Sequence, residues 1–95
     1  MIRFRPDVRA HVGDVIRHLP PEIKTGVKAA IRALSEDPLL GEPLHRELEG
    51  YRKYRVRRFR IIYSIDHHAK AIVIIAVGHR RTIYEEAAER VRRGS

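Results

Sequence analysis

Residues 51–65 read YRKYRVRRFRIIYSI and carry a clear strand pattern. On both sides of Arg57-Arg58, apolar or aromatic residues alternate with basic or polar ones, which is the period of a β-strand. A two-residue spacer between two such runs predicts a β-hairpin with strands over 51–56 and 59–65. Neither arginine favours the positive φ that a tight hairpin turn usually needs, so the alternation carries the prediction.

The segments around this hairpin predict an α+β domain. Apolar residues at helical spacing predict one helix over 7–18, with Asp7 as its N-cap, and a second over 22–34 after Pro20-Pro21. Further strands are expected over 2–5, 44–48 and 71–77, the last ended by Gly78, and a short C-terminal helix over 84–93. We therefore expect an N-terminal strand and a helix hairpin on a mostly antiparallel sheet of four or five strands, with the helices on one sheet face.

Length and composition exclude several classes of protein. The chain has 95 residues, 20 basic and 12 acidic, so its net charge is +8, and it contains no cysteine. We expect a single domain over residues 1–95, without disulfides or a thiol nucleophile. The apolar run at 71–78 is too short for a membrane helix, and the N-terminus has no secretory pattern, so a cytoplasmic location without membrane contact is expected. The six histidines lack metal-ligand spacing, so neither metal nor cofactor is expected.

Positive charge is concentrated in residues 51–60, which hold six cations, three aromatic residues and no acid. If Arg57-Arg58 is the turn, Lys53, Arg55 and Arg60 share one face of the hairpin, with Arg55 directly across from Arg60. Opposed like charges destabilise a sheet, and the arrangement is better tolerated where an anion binds. The stretch favours a polyanion-binding surface, although a solvated basic strand would have a similar composition.

A second cluster, Gly-His-Arg-Arg-Thr-Ile-Tyr at 78–84, follows the predicted central strand. It offers a titratable imidazole in His79, a fixed cation in Arg80 and a phenol in Tyr84. Loops after strands commonly carry binding and catalytic residues. A His-Arg-Arg sequence at a strand exit is more often ordinary surface, but beside a basic sheet face this cluster favours a functional site.

The two motifs at 54–63 and 77–84, with the segments around them in the same order, resemble the RelE/ParE superfamily of type II toxins, and within it the RelE branch. The resemblance runs through nearly the whole chain. It implies the RelE-like microbial RNase fold and a small basic endoribonuclease, an mRNA interferase, that cuts mRNA in the ribosomal A site and so inhibits translation.

The resemblance also implies roles for individual residues. The family's catalytic positions fall on Lys53, Arg55, Arg60, Arg80 and Tyr84, with His79 as a further acid or base. Cleavage of RNA without a metal requires a base for the ribose 2′-OH, cations for the phosphorane and an acid for the leaving oxygen. Because arginine cannot lose its proton, the proton acceptor expected among these positions is Lys53, His79 or Tyr84. Four further cations are expected to bind RNA: Arg52, Arg57, Arg58 and Arg81.

A cognate antitoxin is implied as the partner, RelB-like, acidic and extended, together with the ribosome and mRNA. The alternatives are a ParE-like toxin that inhibits DNA gyrase by binding, a plain RNA-binding module, and an inactive relative that retains only its partner. The joint presence of Arg60, Arg80 and Tyr84 favours the nuclease over the gyrase inhibitor.

Overall fold

The computed structural model describes residues 3–94, which form five strands and three α-helices. In chain order they are β1 (Arg5–Val8), α1 (Ala10–Arg17), α2 (Pro21–Glu36), β2 (Glu42–Pro43), β3 (Arg52–Val56), β4 (Phe59–Asp66), β5 (Ala71–His79) and α3 (Ile83–Arg92). The strands make one sheet in the order β1-β5-β4-β3-β2, in which β1 runs parallel to β5 and the other neighbours pair antiparallel. The α+β class and the mostly antiparallel sheet are confirmed. In the described part of the chain, no helix is long and apolar enough to cross a membrane.

The helices cover both faces of this sheet, so the prediction that they share one face is wrong. On one side, which we call the α1–α2 face, Val12, Val27 and Leu34 pack against Ile61, Tyr63 and Ile72. On the other, the α3 face, Ile83, Ala87 and Ala88 pack with Ile62, Ile75 and Leu48. The physical reason lies in β5, whose side chains are apolar on both faces and must be shielded from water on both.

The N-terminal elements begin later than the periodicity predicts. Asp7 pairs with Val73 inside β1 and is not a helix N-cap, since α1 begins at Ala10. The predicted strand over 2–5 gives way to β1 at Arg5–Val8, and Ile2 lies outside the described residues. Backbone pairing with β5 thus outweighs the local helical spacing of Val8.

Two predictions about strand limits are also wrong. Residues 44–48 form no strand; a short 3₁₀-helix occupies Arg46–Leu48, and Arg46 has a left-handed φ of 59°. Gly78 does not end β5, because it pairs with Arg60 inside the strand. A Cβ at Gly78 would lie 2.8 Å from Cδ1 of Ile83, so this glycine allows the start of α3 to approach the sheet.

Candidate functional site

The β3–β4 hairpin has the predicted register, with Arg55 paired to Arg60 and Lys53 to Ile62. Because directly paired residues of antiparallel strands share a face, these four side chains belong to the α3 face, where Ile62 is buried. Tyr54 and Val56 point the other way and pack against the α1–α2 core. The sheet therefore carries Lys53, Arg55 and Arg60 on one face, as the alternation predicts.

Lys53 lies at the centre of a small cluster on the α3 face. Its Nζ is 5.9 Å from the centroid of the Tyr84 ring and 4.0 Å from Oε1 of Glu42. Glu42 reaches this position because β2 pairs it directly with Lys53. Glu42 was not predicted as a site residue, because the neighbouring strand was expected at 44–48. A strand at 42–43 would have placed its carboxylate next to Lys53.

The opposed cations Arg55 and Arg60 are accommodated by the backbone of the hairpin turn. The carbonyl of Arg57 accepts hydrogen bonds from Nε of Arg55 at 3.4 Å and from Nη1 of Arg60 at 3.1 Å. Nη1 of Arg60 also donates to the carbonyl of Phe59 at 2.9 Å. Arg57 has φ of 55°, so the turn adopts the left-handed conformation without glycine. Carbonyl dipoles offset part of the repulsion and leave other guanidinium N–H groups available.

Arg80 is held beside the same turn, because its backbone N–H donates to the carbonyl of Arg58 at 2.8 Å. Around this contact lies a shallow depression, which we call the hairpin-tip pocket. It is lined by Ile23 and Phe59 and by the guanidinium-bearing side chains of Arg55, Arg57, Arg58 and Arg80. The structure thus brings four of the predicted cationic residues to one place.

His79 pairs with Phe59 and lies on the α1–α2 face, away from Lys53. Its ring meets the Phe59 ring edge-on, with centroids 5.9 Å apart. Its Nδ1 accepts the backbone N–H of Arg81 at 3.3 Å, and the Arg81 side chain is exposed. His79 therefore anchors the exit of β5 and stays apart from the Lys53 cluster.

Arg52 also lies apart from the other cations. Its guanidinium donates to the carbonyl of Gly41 through Nη2 at 2.8 Å and Nε at 3.1 Å, on the α1–α2 side of β3. The same loop is held by the buried Tyr63, whose hydroxyl donates to the Pro38 carbonyl at 2.6 Å and accepts the Gly41 N–H at 3.0 Å. Burial raises the pKa of Tyr63 above its usual value, and the Gly41 N–H and the nearby charge of Arg52 oppose that effect. Arg52 thus has a structural role in this loop.

Comparison with known protein families points to toxins. A family model described as the ParE toxin of the type II toxin–antitoxin system parDE matches residues 2–84. Toxin RelG of Mycobacterium tuberculosis strain ATCC 25618 / H37Rv is 41% identical over 71 residues, which cover 73% of this chain and 82% of the relative.

Solved structures of similar fold are also toxins. A chain in the crystal structure of the toxin–antitoxin complex RelBE2 from M. tuberculosis matches with a TM-score of 0.76 and 33% identity, covering 84% of this chain and 94% of that one. A variant of the E. coli toxin RelE in the free state matches with a TM-score of 0.77, over 94% of this chain and 98% of that one. At 19% identity, the second match establishes a shared fold.

Proposed function

This chain belongs to the RelE/ParE superfamily of type II toxins, and we propose that it is a metal-independent endoribonuclease that cuts mRNA in the ribosomal A site. The observation that carries the proposal is the cluster of Lys53, Tyr84 and Glu42. Arg55 lies two residues further along β3 on the same face, where it pairs with Arg60. Together these residues combine a proton acceptor, a proton donor, an aromatic ring and fixed cations on one accessible face.

In the proposed mechanism, the Glu42 carboxylate accepts the proton of the ribose 2′-OH, whose oxygen then bonds to phosphorus. Lys53, as an ammonium ion, has no lone pair and instead donates a proton to the departing 5′-oxygen. The products are a 2′,3′-cyclic phosphate and a free 5′-hydroxyl. The Glu42–Lys53 contact is long, and the Glu42 side chain is 79% exposed, so an entering phosphate can separate the two groups.

Arginines supply the remaining charge. Arg55, Arg60 and Arg80 stabilise the phosphorane, because guanidinium groups stay protonated and grip phosphate oxygens with two N–H groups. Tyr84 positions a nucleotide by stacking. The Lys53 ammonium lies over its ring, so a nucleotide stacked on Tyr84 would be held close to the proposed acid.

The exposed cations around the cluster are proposed to bind the RNA backbone. Arg57, Arg58 and Arg81 are exposed beside the turn and at the exit of β5. Contacts of this type contribute affinity that falls as salt rises. Arg52 is left out of this group because its guanidinium is bonded to the carbonyl of Gly41.

The proposed regulator is a cognate antitoxin of RelB type. The net charge of +8 favours an acidic, extended partner, since complementary charge accelerates association and suppresses wrong partners. The solved complex RelBE2 pairs a similar toxin chain with its antitoxin, which supports the same assembly here.

Inhibition of DNA gyrase by binding is the second candidate function. It is favoured by the matched family model, which describes ParE toxins. The Lys53 cluster would then have no catalytic role, and its residues could be replaced without loss of toxicity.

Primer extension on mRNA programmed into ribosomes tests the proposal. The wild type is compared with Arg80→Ala, with Arg32→Ala as an exposed arginine control on α2, and with the same mRNA free in solution. We expect ribosome-dependent cuts from the wild type and Arg32→Ala, and loss of most cuts from Arg80→Ala. Absence of cuts in all lanes, with inhibition of gyrase supercoiling, would establish the second candidate instead.

A further inference from the structure

The hairpin-tip pocket holds positive charge that the protein itself does not neutralise. Within residues 3–94, the guanidinium groups of Arg58 and Arg80 make no hydrogen bond or ion pair, and no carboxylate lines the pocket. The nearest recorded carboxylate contact is with Glu22, whose Oε2 lies 4.0 Å from Nη1 of Arg57 and whose side chain is 83% exposed. Such an exposed, distant contact contributes little, so the pocket attracts anions.

Two of the residues that line this pocket are apolar. Phe59 and Ile23 are half-buried, and the Phe59 ring makes a T-shaped contact with the His79 ring. A pocket lined by an aromatic ring and four arginines suits a nucleotide, because bases stack on aromatic rings while their phosphates bind arginine. An acidic peptide would use the arginines but would have no need of the ring.

The pocket also adjoins the proposed catalytic residues on the α3 face. Arg55 lines the pocket, yet it stands directly across from Arg60 on the α3 face. Its side chain turns toward the tip, where Nε bonds to the Arg57 carbonyl. A single strand bound at Arg60 could therefore pass over the turn and reach Phe59 on the opposite side of the sheet.

We propose that the hairpin-tip pocket is a second nucleotide subsite, in which one unstacked base of single-stranded RNA lies on Phe59 and its flanking phosphates bind Arg58 and Arg80. Phe59 and Arg58 position the RNA and take no part in bond cleavage, whereas Arg80 belongs to both sites, because it also stabilises the phosphorane in the proposed mechanism. This inference rests on the proposed function, since it assumes that RNA is the substrate.

The test measures binding of a fluorescent, single-stranded 2′-O-methyl oligoribonucleotide at low salt by anisotropy. The methyl groups block the 2′-oxygens, so the probe cannot be cut and binding is separated from cleavage. Phe59→Leu keeps the apolar packing but removes the ring, and we expect about 5- to 10-fold weaker binding with an unchanged salt dependence. Phe4→Leu is the matched control, because Phe4 is the other phenylalanine and packs against the core away from the pocket.

Arg58→Gln tests the phosphate contact. We expect weaker binding and a plot of log Kd against log salt that is shallower by about 0.7, the value for one phosphate contact on a single strand. Arg17→Gln removes the same charge from α1, where Arg17 pairs with Asp14, and should leave the slope unchanged. Thermal unfolding followed by circular dichroism verifies that all variants are folded.

The inference is overturned if the wild type does not bind the probe, if Phe59→Leu binds like Phe4→Leu, or if Arg58→Gln behaves like Arg17→Gln. Weakened binding of an antitoxin peptide by Phe59→Leu, with RNA binding intact, would assign the pocket to the protein partner instead. Failure of the proposed function gives a different result: the probe binds through Phe59 and Arg58, but ribosome-programmed mRNA is not cut.

Discussion

The ammonium of Lys53 lies 5.9 Å from the centroid of the Tyr84 ring, and this contact joins β3 to the first turn of α3. The preceding residue, Ile83, is fully buried and holds this turn on the sheet. The position of Tyr84 therefore depends on how α3 packs, and the proposed active site combines a sheet residue with a helix residue.

Replacing Tyr84 separates the role of its ring from that of its hydroxyl. We expect Tyr84→Ala to lower the rate of ribosome-dependent cleavage at least 100-fold, because nucleotide positioning is lost. Tyr84→Phe should stay within about tenfold of the wild type, since the ring remains beside Lys53. Single-turnover cleavage of programmed mRNA measures both rates. A Tyr84→Phe variant as slow as Tyr84→Ala would instead give the phenol a role in proton transfer.

Glu42→Gln tests the proposed base. Loss of a general base costs about 10²- to 10⁴-fold in rate, and we expect a loss in this range while RNA binding is retained. The control is Glu49→Gln, because the two carboxylates are similarly exposed, at 79% and 77%, and Glu49 has no contact with Lys53. Cleavage by Glu42→Gln at the wild-type rate would indicate that Lys53, and not Glu42, is the base.

Gly78→Ala should disturb the packing of the sheet against the start of α3. The added Cβ would lie 2.8 Å from Cδ1 of Ile83, so the buried Ile83 side chain, which precedes Tyr84, must move. We expect a loss of about 1 to 3 kcal/mol in the free energy of unfolding and slower cleavage. Gly13→Ala in α1 is the control, since its Cβ meets nothing within 4 Å and alanine favours a helix. Urea unfolding and cleavage assays compare the two; unchanged cleavage by Gly78→Ala would show that Tyr84 tolerates the shift.

Tyr63→Phe tests the buried hydroxyl that holds the loop at 38–41. The change leaves the Gly41 N–H and the Pro38 carbonyl without this partner, so we expect a loss of about 1 to 3 kcal/mol in the free energy of unfolding at pH 7.

The same variant has a distinct pH dependence. Because the pKa of folded Tyr63 is raised, the unfolded tyrosine loses its proton first as pH rises above its usual pKa of about 10. The contribution of Tyr63 to the free energy of unfolding is therefore present below that pH and falls above it. The difference in this free energy between wild type and Tyr63→Phe should narrow as the pH rises from about 9 to about 11. Urea unfolding across this range measures the difference, and a constant or widening difference would contradict the assignment.

The β3–β4 hairpin and its two faces were predictable from the sequence, because a two-residue turn sets the register and the pleat then assigns each side chain to a face. Lys53, Arg55 and Arg60 accordingly share a face in the predicted register. The superfamily was also predictable, since its two motifs lie within single stretches of chain, and the comparisons confirm it.

How distant segments meet around that hairpin could not be predicted from the sequence and is known from the three-dimensional structure. It placed α3 on the face opposite α1 and α2, paired Glu42 with Lys53, and set Arg80 against the carbonyl of Arg58. It also gave Arg52 and His79, which lie on the α1–α2 side of the sheet, hydrogen bonds to the Gly41 carbonyl and the Arg81 N–H, respectively. Local periodicity cannot determine such contacts, because they follow from burying both faces of β5 and from pairing strands that are far apart in the chain.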